Sequence, residues 1–380
     1  MQRLLPLGLV FLLSACGDRQ AAPVPAADTT APNPLSMRST LPFQAPPFDK
    51  ITDGDYRPAI EAGMKKQLEE IAAITGNSEA PTFENTIVAM EKTGQDLNRA
   101  SKIFNNLCAS AINDSLQKVK ADLAPKLAAH SDAITLDPKL FARVKAVYDQ
   151  RAAMSMTPMD ARLLERYYTR FVRAGALLSD ADKEQLKKLN EELSTLETRF
   201  DEILLKGRSS AGVFVEKKEQ LDGMTDEAIA AAAEAAKAKG KDGQWLIEIV
   251  NTTTQPVLAV LKDRALRERI FKASIARNNG GENDSKGTIV RLAQLRAQKA
   301  ELLGFPNWAA YVMDDQMAKT PEAATKLLGG MAPAAAKNAR AEAAKLQALI
   351  DKQKGGFQLE PWDWDFYAEQ VRKAEYDLDQ

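Results

Sequence analysis

The residues that could perform chemistry are few in this chain. Zinc hydrolases commonly use two histidines one helical turn apart with a glutamate between them, the H-E-x-x-H pattern. The 380 residues contain a single histidine, His130, and so cannot supply that pattern. A serine–histidine–aspartate or cysteine–histidine arrangement would also have to use His130. We expect this residue, at the end of a helix predicted over 113–131, to be a C-terminal cap or a surface residue.

Three further groups have suitable residue types but unsuitable surroundings. Nothing beside Cys108 predicts an activated thiolate, so we expect it to lie in the core. The glycine-containing segment 280–287 follows a predicted helix and lacks the order of a phosphate-binding loop, which indicates a helix–helix turn. Asp363 and Asp365 could form a carboxylate pair, but near a helix start they are more simply caps and dipole partners. We therefore assign no catalytic and no metal-ligating residue.

The composition indicates a mainly α fold without nucleic-acid binding. Hydrophobic residues make up 45% of the chain and charged residues 27%, as in soluble globular proteins. Alanine, leucine, lysine and glutamate dominate, and strand-like runs are few, so helix is the default expectation. The 51 basic residues are balanced by 52 acidic ones. This balance gives no electrostatic case for a nucleic-acid partner.

The N-terminus has the pattern of an export signal. Arg3 precedes an apolar run over 4–13 that is too short to span a bilayer, and the run leads into Leu-Ser-Ala-Cys ending at Cys16. We expect residues 1–16 to be a lipoprotein signal with Cys16 lipidated, although a plain signal peptide would fit too. Residues 17–47, rich in proline and alanine, predict a disordered tether. The protein would then be exported to the periplasm and contact the membrane only through a lipid on Cys16.

Beyond the tether the pattern predicts three regions. Residues 48–210 form an N-terminal helical region, 211–254 a small segment of strand and helix, and 255–380 a second helical run. The clearest helix runs from Ser179 to Ser209, where Ser179 and Asp182 resemble a capping box. Its apolar residues recur every three or four positions and predict a partner helix alongside; they are Leu186, Leu189, Leu193, Leu196, Phe200 and Ile203. In the middle region 213–215 and 245–250 are the strand candidates of a small hairpin.

Four segments, in this order, resemble one family. They are Pro81–Ile87, Arg264–Arg277, Ile289–Tyr311 and Pro361–Gln370. Together they resemble the M3 zinc metallopeptidases, the thimet oligopeptidase family. The form Pro-Trp-Asp-Trp-x-Phe-Tyr-Ala-Glu-Gln is most similar to its bacterial peptidyl-dipeptidase (Dcp) branch.

The resemblance implies a largely helical, clam-like peptidase with a deep channel. Members of this branch remove dipeptides from the C-termini of short peptides, using a zinc ion held by a His-Glu-x-x-His helix and a later glutamate. That helix follows the Pro-Trp-Asp segment in the family. We therefore expect this chain to be the N-terminal portion, truncated before the zinc motif, monomeric, binding no zinc and inactive alone. No family site residue transfers to a numbered position.

Two other hypotheses stay open from the sequence. The chain could be a non-catalytic helical lipoprotein with a binding or scaffold role, or, less in keeping with its residues, a different hydrolase using His130. The final helix bears on the first of these. Its apolar face has no following sequence to pack against and should be exposed if the chain is truncated; the face consists of Phe366, Tyr367, Val371, Ala374 and Leu378.

Overall fold

The computed structural model describes residues 32–251 and 255–376 of the chain. The fold is mainly α, as predicted, with one two-stranded sheet in the described residues. The helices are α1 Asp53–Thr75, α2 Ala89–Glu91, α3 Gln95–Ser110, α4 Asp114–Thr135, α5 Pro138–Asp149, α6 Pro158–Arg173, α7 Asp180–Ser210, α8 Asp226–Ala238, α9 Arg264–Ile275, α10 Lys286–Leu302, α11 Trp308–Asp314, α12 Pro321–Lys352 and α13 Trp364–Tyr376. Shorter helical turns are Pro34–Ser36, Pro42–Gln44, Phe83–Val88, Arg151–Ala153, Lys218–Leu221, Pro256–Ala259 and Pro361–Asp363.

The predicted signal segment and its Cys16 lie outside the described residues, as does the tether up to residue 31. Among the helices that are described, none has both the length and the apolar character needed to cross a bilayer.

Part of the predicted tether, within residues 32–47, packs against the helical core. Leu35 is buried in the core formed by α1, α3 and α4, beside Tyr56 and Phe104. The Asn33 side chain donates to the backbone oxygen of Asp55 at 2.8 Å and also caps the Pro34–Ser36 turn. The prediction of disorder is therefore wrong around residues 33–36, because one apolar side chain and one amide dock this segment onto α1.

Helix α7 is the helix that links the N-terminal helices to the second helical run. Ser179 caps it, with its Oγ accepting from the Asp182 backbone nitrogen at 3.2 Å, as predicted. Its leucine seam meets α10, where Leu189 and Leu193 pack against Leu292 and Leu295. Helix α4 packs along α7 as well, so the predicted partner is in fact two helices.

The two strands pair antiparallel, and both strand predictions are confirmed in type. β1 is Gly212–Val215 and β2 is Trp245–Glu248, with Val213 opposite Ile247. Helix α8 lies between them in the chain and packs on β2. Alternate residues of β1 are buried in a core shared with α9, which fixes the orientation of α9 relative to the sheet.

The last helix is covered more than expected. Tyr367 of α13 is buried against Leu346 and Ile350 near the end of α12, and Phe366 and Val371 are partly buried. Ala374 is exposed, and Leu378 lies outside the described residues. The prediction of a bare face is wrong at Tyr367, because α12 supplies the surface against which it packs.

Candidate functional site

A buried ion cluster joins the second and fourth of the family-like segments. Asp363 is fully buried and accepts from two arginines of α9. Arg264 Nη2 lies 2.9 Å from its Oδ2, and Arg267 Nη2 lies 2.9 Å from its Oδ1. Both carboxylate oxygens are thereby held by charge-assisted hydrogen bonds, the strong class of such bonds.

The local sequence explains why these three side chains meet. Asp263 caps α9 by accepting from the Leu266 backbone nitrogen at 2.9 Å. Arg264 and Arg267 are three residues apart and so share one face of the helix. Opposite that face, the Pro361–Asp363 turn presents the carboxylate, which also accepts from the Glu360 backbone nitrogen at 3.2 Å. The predicted capping role of Asp363 is confirmed, but sequence reasoning missed its buried pairing with α9.

Asp365 occupies a different environment. It lines a cavity of about 500 Å³ together with Trp364 of α13 and with Phe271 and Ile275 of α9. Burial raises the pKa of the Asp365 carboxyl above its ordinary value. The predicted role of Asp365 as a helix dipole partner fits its place in the first turn of α13.

A second, polar cavity of about 560 Å³ lies among α4, α6, α7, α10 and α11. Its charged lining residues are Asp132, Arg166, Arg170, Arg173, Glu197, Lys299 and Asp315. Three of its lining residues, Lys299, Trp308 and Tyr311, belong to the third family-like segment. The fold thus brings that segment against the N-terminal helices.

Asn190 connects two desolvated charges that line this polar cavity, Asp132 and Lys299. Its amide nitrogen donates to both oxygens of Asp132, at 2.8 and 3.1 Å, and its amide oxygen accepts from Lys299 Nζ at 2.6 Å. Burial raises the pKa of Asp132 and lowers the pKa of Lys299. A desolvated carboxylate and a desolvated amine therefore share one amide bridge, and perturbed groups in a cleft of this kind are candidates for a functional surface.

The arginines of α6 fix α11 at the mouth of the polar cavity. Arg166 binds Asp315 with two hydrogen bonds, at 2.5 and 3.0 Å. Arg173 donates to the Tyr311 backbone oxygen at 2.7 Å, and its guanidinium lies 4.6 Å from the centre of the Tyr311 ring. The guanidinium of Arg166 holds the pKa of Asp315 below its ordinary value. These contacts make the position of α11 depend on charge as well as on apolar packing.

His130 lies in neither site and is not the cap or surface residue that the sequence predicted. It is buried within α4, which continues to Thr135, and its Nε2 lies 2.8 Å from Gln67 Oε1. Burial lowers the pKa of the imidazole. Because an amide oxygen only accepts, Nε2 carries the proton, and Nδ1 is left without a partner in the described structure.

The other sequence candidates have structural positions. Cys108 is partly buried against the core of α1, α3 and α4, and burial raises the pKa of its thiol, as expected of a core cysteine. Residues 280–285 lie in the connection between α9 and α10, which confirms the predicted helix–helix turn, and residues 286–287 begin α10. Within residues 32–251 and 255–376, no three histidine, cysteine, aspartate or glutamate side chains are grouped so that they could hold a metal ion.

The first family-like segment also makes a partly buried polar contact, with α5. Thr82 caps the Phe83–Val88 turn, with its Oγ1 accepting from the Asn85 backbone nitrogen at 3.1 Å. The Asn85 side-chain oxygen then accepts from Arg143 Nη2 of α5 at 3.0 Å. The four family-like segments therefore supply residues to three polar contacts between elements, rather than to one catalytic constellation.

Comparison with known proteins identifies the class. The model of peptidase family M3 matches residues 257–380, from the start of the second helical run. Dipeptidyl carboxypeptidase of Escherichia coli (strain K12) is 47% identical over 352 residues, which cover 92% of this chain and 52% of that protein. The dipeptidyl carboxypeptidase of Salmonella typhimurium is 43% identical over 349 residues, covering 92% and 51%. An organellar oligopeptidase A of Arabidopsis thaliana is 27% identical over 365 residues, covering 93% and 45%.

The chain belongs to peptidase family M3. It spans about half the length of the curated relatives that it matches.

Proposed function

We propose that this chain forms the N-terminal half of a peptidyl-dipeptidase, an enzyme that hydrolyses short peptides and releases dipeptides from their C-termini. The observation that carries the proposal is the 47% identity to a dipeptidyl carboxypeptidase across 92% of the chain. Identity of this extent covers both the N-terminal helices and the second helical run, so it reaches well beyond the segment that the family model matches.

In this proposal the described residues support the peptide channel and form one side of it, and the zinc ion is bound by residues outside them. The single histidine is buried and held by Gln67, and the described residues contain no group of ligands that fits a zinc ion. We propose that the zinc ligands belong to the part of the relatives that lies outside the aligned region, and that these 380 residues alone do not hydrolyse peptides. The polar cavity and the Arg264–Asp363–Arg267 cluster would then hold the helices that form one side of the peptide channel.

The test compares the purified chain with the same chain supplemented in trans. The supplement is the part of the E. coli dipeptidyl carboxypeptidase outside its alignment with this chain. Zinc per chain is measured after dialysis, and dipeptide release from an unstructured heptapeptide is followed by mass spectrometry. We expect no zinc and no release from the chain alone, and chelator-sensitive dipeptide release from the mixture.

Stoichiometric zinc with chelator-sensitive release by the chain alone would contradict the proposal that the zinc ligands lie outside these 380 residues. Release of single residues or of internal fragments by the mixture would contradict the dipeptidase assignment.

We also propose that the protein is exported to the periplasm and anchored through a lipid on Cys16. The support is the sequence pattern of Arg3, the apolar run over 4–13 and the cysteine that follows it. Metabolic labelling with an alkyne-bearing fatty acid tests this directly. Labelling should be lost in Cys16→Ser and kept in Cys108→Ser, the matched control, because Cys108 is a core thiol. Equal labelling of both variants would refute the anchor.

The alternative of a non-catalytic scaffold has no specific observation in its favour. The relatives described above are all named as peptidases. We also propose that the chain is a monomer. The sedimentation coefficient of the purified chain tests its oligomeric state.

A further inference from the structure

The first two thirds of α12 combine apolar sequence with full exposure. Residues 327–336 read Leu-Leu-Gly-Gly-Met-Ala-Pro-Ala-Ala-Ala and include no charged side chain. All ten are exposed, and the three largest, Leu327, Leu328 and Met331, have 65%, 66% and 62% of their surface accessible. A helix that is apolar on every side is normally buried. This stretch therefore has the composition of an interior helix and the environment of a surface one.

The same stretch lacks the intrinsic propensity to stay helical by itself. It contains Gly329, Gly330 and Pro333, and glycine and proline are the residue types least favourable in a helix interior. A Cβ atom at either glycine would meet nothing within 4 Å. The far end of α12 differs, because Leu346 and Ile350 pack against Tyr367. The far end of this helix is thus held by apolar packing, whereas every residue of the stretch 327–336 is exposed.

We propose that the face formed by Leu327, Leu328 and Met331 is the docking surface for the other half of an M3 peptidase. This inference rests on the proposed function. Leu327 and Met331 are four residues apart, and Leu328 and Met331 three, so these side chains share one face. The adjacent glycines remove side-chain bulk and allow the backbone of a partner to approach closely.

Two observations select this occupant. About half of each relative lies outside its alignment with this chain, which provides a polypeptide of the size needed to cover a helix on several sides. The match to the family model includes all of α12, so the exposed stretch lies in sequence that belongs to the peptidase itself.

A lipid surface fits less well. Helices that lie on membranes combine an apolar face with a basic one. Residues 327–336 have no charged face, because Lys326 and Lys337 stand outside the stretch at its two ends. No described helix has the length and apolarity of a membrane span.

The test measures binding between this chain and the part of the E. coli dipeptidyl carboxypeptidase outside the alignment. The variant is Leu328→Glu combined with Met331→Glu. The control is Met159→Glu on α6, where the native methionine is 80% exposed. Circular dichroism confirms that each variant folds. We expect the double variant to weaken binding at least about tenfold, as removal of apolar anchors at an interface centre does, and the control to leave it unchanged.

Hydrogen exchange gives a second readout on the unaltered chain. Amides of residues 327–336 should exchange rapidly in the chain alone and be protected in the complex. Unchanged affinity of the double variant, or slow exchange of these amides before the partner is added, would overturn the inference. So would a homodimer of this chain that the double variant dissolves, because the occupant would then be a second copy. Binding through α12 without dipeptide release would leave this inference standing and refute the proposed function.

Discussion

Arg267 Nη2 donates to Asp363 Oδ1 at 2.9 Å, and the two side chains are 2% and 0% exposed although they are 96 residues apart in sequence. The other two guanidinium nitrogens of Arg267, Nε and Nη1, donate to the backbone oxygens of Trp362, Leu261 and Lys262. A buried pair of this kind is costly to break, because removal of one partner leaves an uncompensated charge in the interior.

Replacement of Asp363 should therefore destabilise the protein strongly. Asp363→Ala leaves the buried Arg267 without its carboxylate and removes the anchor for Arg264. We expect a loss of about 3–5 kcal/mol in the free energy of unfolding, the usual cost of breaking a buried ion pair. Urea unfolding followed by circular dichroism measures it.

Asp365→Ala is the matched control for this substitution. Asp365 lies two residues further along the chain and lines a cavity. Burial raises the pKa of its carboxyl, which means that the folded protein does not stabilise the ionised form, so its removal should cost little stability. A loss in Asp363→Ala no greater than in Asp365→Ala would show that the Arg267–Asp363 pair does not hold α9 to the Pro361–Asp363 turn.

The pH dependence of stability should include a contribution from His130. Burial lowers the pKa of the folded imidazole below its ordinary value of 6.5. As the pH falls through 6.5, the unfolded chain takes up a proton that the folded chain resists, so stability is lost from there down to the folded pKa. Each unit of difference between the two pKa values contributes about 1.4 kcal/mol. Since the chain has one histidine, a single imidazole NMR signal reports the folded pKa directly.

His130→Gln isolates this contribution. The amide can still reach Gln67 but does not titrate. We expect the variant to lose less stability than the native chain between pH 7 and pH 5, measured by urea unfolding at each pH. Parallel pH profiles for the two proteins, or an imidazole that titrates above 6.5, would show that burial does not control this histidine.

Replacement of Asn190, which bridges Asp132 and Lys299 in the polar cavity, should lower the stability of the protein. Asn190→Leu removes the donor to both oxygens of Asp132 and the acceptor for Lys299. Each buried polar group left without its partner costs about 1–3 kcal/mol. We expect a lower unfolding midpoint in urea than for Glu191→Leu, an adjacent exposed position on α7. Equal midpoints would mean that water replaces the amide without cost.

Local patterns in the sequence predicted much of this fold. The mainly α class, the cap at Ser179 and the leucine seam of α7 all follow from spacing within one helix, and each is confirmed. Such features depend on neighbours in the chain, which the sequence displays directly.

The features that the sequence did not predict depend on partners distant in the chain. No local sequence pattern links Arg267 to Asp363, which are far apart in the chain. Only the opposite charges of Asp363 and of the two arginines one helical turn apart are compatible with their pairing. Composition predicts a tether around Leu35, because a single leucine gives no period that would reveal its place in the core. The sequence of α13 predicts an exposed Tyr367, because the packing of α12 on α13 cannot be predicted from α13 alone.

Backbone geometry at Gly223 supplies a last prediction. Gly223 has φ of +102°, and a Cβ there would lie 1.9 Å from the backbone oxygen of Val260, in the segment before α9. Gly243 also has a positive φ, of +79°, but a Cβ there would meet nothing within 4 Å. Both Gly→Ala variants incur the conformational strain of a left-handed backbone, about 1–2 kcal/mol, and only Gly223→Ala adds a clash with a backbone carbonyl oxygen. We therefore expect Gly223→Ala to lower the thermal unfolding midpoint clearly more than Gly243→Ala does. Equal midpoints would mean that the backbone around Val260 moves aside at little cost in stability.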